Sequence, residues 1–440
     1  MTQASSGPYE DVGERTFAVD SMSRVEGEGR LKVVVKGDEV LRAELSIFEA
    51  PRFFERLVVG RKPDEVLDIV ARICGICPVA YQMSAVTALE TLFELDAGDW
   101  VQRMRRVFYC GEWIQSHALH IHLLAAPDFL GFGSAPEMAR DYPDEVRRGL
   151  ELQALGNAII RLFGGRSVHP VGARVGGFSR APRRQQVQQL VTQLEQALPQ
   201  AEALLRWTAT LELPDATQDF CCVALRHPDE YPMLRGRLVS SHGLDCAIEH
   251  FEQEIREFQV PHSTALHALL DDKPYVVGPI ARMNLNHDRL PQVTRTILDE
   301  SGIHFPSHNM YHSIIARAAE IHVAILEALE LLQDYSEPAH ASYTPHPRAG
   351  TGYGCSEAPR GILYHRYTTD DRGNILAARI IPPTSQNQAA MEQDLVESLH
   401  TFGLQQPEQA LRARAESVIR NYDPCISCAT HFLRLRVEHD

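Results

Sequence analysis

The sequence predicts an α+β fold, mainly helical, with a central long-helix bundle and small antiparallel sheets at the margins. Three observations predict it. Amphipathic helical patterns recur at about 100–125, 144–163, 182–211 and 308–335, and apolar residues spaced this way over such lengths build helix–helix cores. Strand-like alternation is confined to two stretches, about 15–50 and about 359–382. No internal repeat or low-complexity linker divides the chain, so these elements belong to one unit.

The N-terminal β portion reads as TFAVD, LKVVVKG and EVLRAELSIF, with Gly37-Asp38 as a hairpin turn. Helices begin near Pro63 and after Pro78, because proline's fixed φ and missing N–H suit the first helical turn. The four long amphipathic patterns follow. PRGILYHRYTTDDRGNILAARIIPP then forms a β hairpin turning at DDRGN. Two short helices lead to the last motif, NYDPCISCATH.

Composition narrows the function classes. A net charge of −15 argues against nucleic acid, whose phosphates need a basic face. No run of ~18 apolar residues exists, so a direct membrane span is not expected. The opening MTQASSGPYEDVGERT lacks the apolar core of a signal peptide, which favours the cytoplasm. Nine cysteines, an odd number in so long a chain, suit a reducing compartment rather than a disulfide framework.

Four of those cysteines form two C-x-x-C pairs: Cys74 and Cys77 in ARICGICPVA, Cys425 and Cys428 in YDPCISCATH. Neither pair completes a tetrahedral thiolate site, but together they do. Soft thiolates suit zinc, iron–sulfur clusters, copper(I) or nickel, and spacing does not choose among them. Structural zinc is the plain reading of two such pairs. It sits poorly with residues 78–424 lying between them, because structural zinc usually closes a small loop that lacks its own core. A thioredoxin-like redox role lacks the necessary βα junction. Cys110, Cys221, Cys222, Cys246 and Cys355 form no cluster set and read as small buried apolar residues.

The two pairs resemble the signatures of nickel–iron hydrogenase large subunits, R-x-C-G-x-C upstream and D-P-C-x-x-C-x-x-H at the end. SRVEGEGR at 23–30, RFFERLVVGRKP at 52–63, SEAPRGILYH at 356–365 and the PPTSQN stretch are similar to further family segments in the same order. The resemblance therefore covers nearly the whole chain, and it looks most like the cytoplasmic NAD(P)-linked bidirectional and sulfhydrogenase alpha-subunit type.

That resemblance implies reversible heterolytic cleavage of dihydrogen at nickel and at an iron carrying cyanide and carbon monoxide. It implies that Cys74, Cys77, Cys425 and Cys428 bind nickel, with Cys77 and Cys428 also bridging to iron, and that Cys425 is the base that takes the proton. Glu26 would relay protons from an apolar pocket that raises its proton affinity. Arg360 would lie over the site and orient cyanide, Asp423 would pair with it or cap the terminal loop, and Pro359 would shape the pocket. Thr384 or Ser385 would donate to a cyanide, since Pro383 takes the place where relatives often carry a hydroxyl. Glu55 and His431 would hold magnesium or a similar hard ion.

The same resemblance implies that residues 1–431 form the large-subunit unit. Residues 432–440 would be a C-terminal propeptide, removed by a maturation endopeptidase after nickel-delivery proteins have acted. The partners implied are an iron–sulfur small subunit, since this chain has no spare cysteines for an electron relay, and diaphorase-type flavin/NAD(P) subunits, since it has no G-x-G-x-x-G after a strand. One departure stands out: Tyr81 occupies a position where many relatives carry histidine. His117 and His120 share a helical face but, with no acidic or thiol partner evident, read as a packed or surface pair. A hydrogen sensor with the same metal site, a scaffold stabilised by zinc on the four cysteines and a quinone-site subunit of respiratory complex I are the alternatives.

Overall fold

The computed structural model describes residues 14–430. The four long patterns become the helices Gly98–Leu119, Pro143–Gly164, Arg184–Ala209 and Ser313–Gln333. Gly98–Leu119 lies against both Pro143–Gly164 and Ser313–Gln333, which in turn packs on Arg184–Ala209. Residues Val107 to Ala118 of the first are buried without a break, so this helix is covered on every face and forms the bundle's axis. At its C-terminal end the chain continues as one π-helical stretch, His120–Ala125. Pro63–Val70 and Pro78–Phe93 both start on proline, as expected.

The N-terminal strands Arg15–Val19, Gly29–Lys36 and Glu39–Ile47 form an antiparallel sheet in sequence order. Lys36 pairs with Glu39, leaving Gly37-Asp38 as the two-residue turn. Leu31, Val33 and Val35 point inward, where they meet Met391, Leu395 and Leu399 and residues Leu411 and Val418. Those apolar partners come from Pro383–Phe402 and Glu408–Asn421. These helices have 20 and 14 residues and are not the short pieces expected. Polar residues such as Gln386, Asn387 and Gln388 are buried in the first of them, which hides its apolar period.

The hairpin expected at 359–382 is present as Gly361–Thr369 and Ile375–Ile381, but a third strand, Gly350–Ala358, joins it. That strand escapes sequence reading because GTGYGC looks like a loop. Its glycines serve contact: a Cβ on Gly354 would stand 2.1 Å from the Ser84 carbonyl oxygen, so only glycine lets the strand lie on Pro78–Phe93. Ala358 pairs with Gly361, which puts Pro359 and Arg360 at the hairpin tip. Other antiparallel pairings, such as Ile255–Gln259 with Leu266–Leu270, involve strands of five residues or fewer, too short for alternation to register. Among the described residues no helix is long and apolar enough to cross a membrane.

Candidate metal centre

The two C-x-x-C pairs meet. Cys77 immediately precedes Pro78–Phe93, and Cys425 immediately precedes the short helix Ile426–Ala429. All four cysteines are at most 3% exposed, and their sulfurs lie within 4.8 Å of one another. Across the pairs, Cys74 Sγ is 3.4 Å from Cys425 Sγ and Cys77 Sγ is 3.7 Å from Cys428 Sγ. Cys425 Sγ and Cys428 Sγ are 2.7 Å apart, well beyond the ~2.05 Å of a disulfide. The backbone N–H groups of Ile76 and Cys77 both donate to Cys74 Sγ, which favours a thiolate there.

Burial opposes ionisation of Cys74, but hydrogen bonds from Cys425, Cys428 and Cys77, with the charge of Arg360, bring its proton affinity well below that of a free thiol. Burial and the neighbouring sulfurs push Cys425 well above it. Four thiolates in so closed a space carry a charge that cations must offset.

Several groups hold the halves together. Glu26 forms a parallel bridge with Cys425. Its carbonyl accepts from Ile426 N at 3.0 Å and its carboxylate Oε2 from Ser427 N at 3.0 Å. Gly27, at φ 91°, is required here: a Cβ would stand 2.6 Å from Ile426 Cβ. Thr384 Oγ1 accepts from Cys425 N at 3.0 Å. Arg52 is the direct clamp. Its Nη2 donates to the Ile73 carbonyl, beside Cys74, at 2.7 Å, and also to the Ser427 carbonyl, between the terminal cysteines. Its backbone N–H donates to Thr430 O at 2.7 Å. On the upstream side, the Glu112 carboxylate accepts from Val79 N and Ala80 N at 2.6 and 2.9 Å. Burial pushes that carboxyl well above the usual carboxylate range.

Arg360 projects from its hairpin tip beside the sulfurs. Its Nε donates to Asp423 O at 2.7 Å and its Nη2 to Asp423 Oδ1 at 2.9 Å. Burial works against its charge, while Asp423 and the sulfurs of Cys425, Cys77 and Cys74 hold it. Arg360 Nη1 and Asp423 Oδ2 are buried and make no hydrogen bond among the described residues. A donor left open beside four converging sulfurs fits a site that holds metal with a polar ligand on it.

Beneath the tip lies a second layer. Arg282 binds Glu320 through two 2.7 Å bonds and Glu357 at 3.0 Å. It also donates to the carbonyls of Ala358 and Pro359 and sits 4.7 Å over the Trp113 ring. Arg282, Glu320 and Glu357 are fully buried. Burial opposes ionising Glu320, but Arg282 brings its carboxyl down to about 2. Burial carries Glu357 up to about 7.

The comparisons with known proteins agree with this geometry. The family model described as nickel-dependent hydrogenase matches residues 52–142 and 267–431, a span that includes both cysteine pairs, Arg52 and Arg360. The chain belongs to the nickel-dependent hydrogenase family. It is 33% identical to the sulfhydrogenase 1 subunit alpha of Pyrococcus furiosus, over 95% of this chain and 98% of that protein. It is 28% identical to the NAD-reducing hydrogenase HoxS subunit beta of Cupriavidus necator, over 95% of each. The crystal structure of an NAD+-reducing [NiFe]-hydrogenase in the H2-reduced state superposes with a TM-score of 0.87 at 28% identity, covering 95% of this chain and 99% of that one.

In this hydrogenase the remaining expected residues fall as follows. Cys74, Cys77, Cys425, Cys428, Arg360, Asp423 and Thr384 converge. Glu26 adjoins them and is half-buried. Ser385 is turned elsewhere: its hydroxyl donates to Pro382 O and to Glu257. Glu55 Oε1 accepts from Ile380 N at 2.8 Å and lies 3.9 Å from Arg379. His431 and residues 432–440 lie outside the described residues. Tyr81 is buried against the His365 ring with its hydroxyl unbonded, and burial and then the sulfurs push its phenol well above the usual range.

His117 and His120 are both buried, each against a different partner. His117 Nε2 is 2.9 Å from Glu320 Oε2 and His120 Nε2 is 2.8 Å from Arg420 O, so His117 has an acidic partner that its sequence neighbourhood does not show. Of the other cysteines, Cys110, Cys221, Cys222 and Cys355 are buried and Cys246 is half-buried. Sequence reasoning assigned no role to Arg52, Glu112, Arg282, Glu320 or Glu357. Arg52 and Glu357 do lie in the family-like segments at 52–63 and 356–365, and Glu320 is a lone acid in the apolar run IIARAAEIHVAIL.

Proposed function

We propose that this chain is the dihydrogen-cleaving subunit of an NAD(P)-linked hydrogenase. Cys74, Cys77, Cys425 and Cys428 would hold nickel, with Cys77 and Cys428 shared with an iron bearing cyanide and carbon monoxide. The observation that carries this reading is the meeting of four buried sulfurs from motifs 351 residues apart beside a guanidinium nitrogen without a partner. When bound, the nickel–iron centre supplies the Lewis acidity that makes dihydrogen acidic enough to split.

The chain's own residues then manage charge and protons. Cys425, whose thiol holds a proton strongly, receives one at Sγ. Glu26, bridged to Cys425 and half-open to solvent, passes it outward. Arg360 Nη1 would offer its hydrogen to a cyanide on the iron, with Asp423 fixing the guanidinium plane and Pro359 shaping the wall. Of the two hydroxyls, Thr384, which accepts from Cys425 N, would be the donor to a cyanide, and Ser385, whose hydrogen goes to Pro382 O and Glu257, would not. Buried apolar walls around the sulfurs exclude water.

Glu55, with His431, would hold magnesium or a similar divalent ion. Residues 432–440 would be a propeptide removed by a maturation endopeptidase after nickel delivery, leaving 1–431 as the working unit in the cytoplasm. An iron–sulfur small subunit would take the electrons and diaphorase-type subunits would pass them to NAD(P), as the names of the NAD-reducing relatives suggest. Elemental analysis of the purified complex, alongside hydrogen-dependent reduction of NAD+ and NADP+, tests the reading. Nickel and iron with hydrogen-dependent reduction are expected. Zinc in place of nickel, with no hydrogen uptake, would overturn it in favour of a structural zinc site on the four cysteines.

A further inference from the structure

A second group of metal-ligand side chains lies away from the cysteines. His262, His267 and Glu392 place one ligand atom each within 4.8 Å of one another. They come from three separate elements: the turn after Ile255–Gln259, the strand Leu266–Leu270 and the helix Pro383–Phe402. His262 Nε2 is 2.8 Å from Glu392 Oε1, and His267 Nε2 is 3.4 Å from Glu392 Oε2. A fourth element, the strand Glu39–Ile47, brings Glu44 Oε1 to 4.0 Å from His262 Nδ1. The two imidazole rings meet edge to face, 5.7 Å apart.

His267 is the decisive member. It is 2% exposed; among the described residues its Nδ1 has no hydrogen-bond partner and its Nε2 has only the Glu392 carboxylate, at 3.4 Å. A buried imidazole held this loosely is costly unless something else binds it. Its Nε2 faces the carboxylate at 3.4 Å, close to the ~3.3 Å edge of a tetrahedron whose ligands stand ~2.0–2.1 Å from a central ion. His262, Glu392 and Glu44 are each about one-fifth exposed, so an ion has a way in. Glu44 faces the ring nitrogen of His262 that points away from Glu392, where metal-bound histidines usually find an orienting carboxylate.

We propose that His262, His267 and Glu392 bind a divalent first-row transition cation, with water in the remaining position. Two imidazoles and one carboxylate suit zinc or its neighbours better than magnesium or calcium, which prefer all-oxygen sets. The ion would staple the edge strand of the N-terminal sheet and the 259–266 turn to the helix whose first turn carries Thr384, and so would brace the Cys425 backbone from outside. It is separate in residues and in ligand chemistry from the cysteine cage.

Zinc titration of the nickel-loaded complex tests this, followed by desalting and elemental analysis per chain. The native complex is expected to retain about one zinc more than complexes bearing His262→Gln or Glu392→Gln, with nickel equal in all three. Zinc absorption spectra should show two imidazole nitrogens and a carboxylate oxygen, and zinc should raise the melting temperature of the native complex only. His262→Gln is mild enough to fold, because that ring is partly solvent-exposed. Equal zinc retention by native and variant complexes, or none by the native complex, overturns the proposal.

Discussion

Arg52→Met removes a side chain that bonds to the backbone of both cysteine motifs. Nη2 donates to Ile73 O and to Ser427 O, and hydrogen bonds from a charged donor contribute about 1.5–3 kcal/mol each. Arg52 is only half-buried, so water partly replaces it at both carbonyls and the low end applies, about 3 kcal/mol in total. That energy favours the arrangement with Cys425 and Cys428 closed on Cys74 and Cys77. Losing it shifts the balance toward the open form by ~100-fold. With nickel held by the four sulfurs as proposed, it would escape through the open form, and its loss to a chelator should accelerate by the same factor. The assay is the half-time of nickel release from purified complex in excess EDTA, followed by elemental analysis. Arg52→Lys should fall between, since a single ammonium lacks the guanidinium's planar fork. A half-time for Arg52→Met within about threefold of native would refute the clamp.

Other changes separate the remaining roles. Glu26→Gln keeps an oxygen for Ser427 N, so nickel content should stay native while hydrogen-oxidation turnover falls ~100-fold or more; unchanged turnover would remove Glu26 from the proton route. Glu320→Gln leaves the Arg282 charge poorly matched in a fully buried site, a loss of about 3–5 kcal/mol, read as a lowered thermal midpoint. His122 is stacked on Trp207, and burial brings its imidazole down to about 4. The unfolded chain therefore takes a proton near pH 6.5 that the folded chain refuses. Stability is present above that pH and is lost as pH falls toward 4. His122→Phe should reduce the native loss between about pH 7 and 5, seen in urea unfolding, by about 2 kcal/mol.

Legibility tracked the distance over which each decision is made. Proline starts at Pro63 and Pro78, the Gly37-Asp38 turn and the long amphipathic helices are settled within a few residues, and all were readable. The C-x-x-C pairs were readable because paired thiols at that spacing are scarce, and Arg360 because its segment resembles one of the family's. Arg52, by contrast, lies in a family-like segment but reaches a carbonyl 375 residues away, so nothing local marks its role as a clamp. The Arg282, Glu320 and Glu357 cluster draws on three separate elements, and Gly350–Ala358 reads as a loop until the helix beneath it is seen. For Glu26 the neighbourhood of the terminal cysteines was foreseen, while its degree of enclosure depends on how the whole surface closes.

The separation of the cysteine pairs also sets a schedule. Everything from residue 75 to residue 424 must be made and brought into place before the second pair can reach the first. An ion that arrives early meets two sulfurs on an unfinished chain, a weak and quickly exchanging hold. One that arrives late finds four. The long interval between the halves therefore works as a timer, keeping the strong grip unavailable to whatever metal is most abundant while the chain is young.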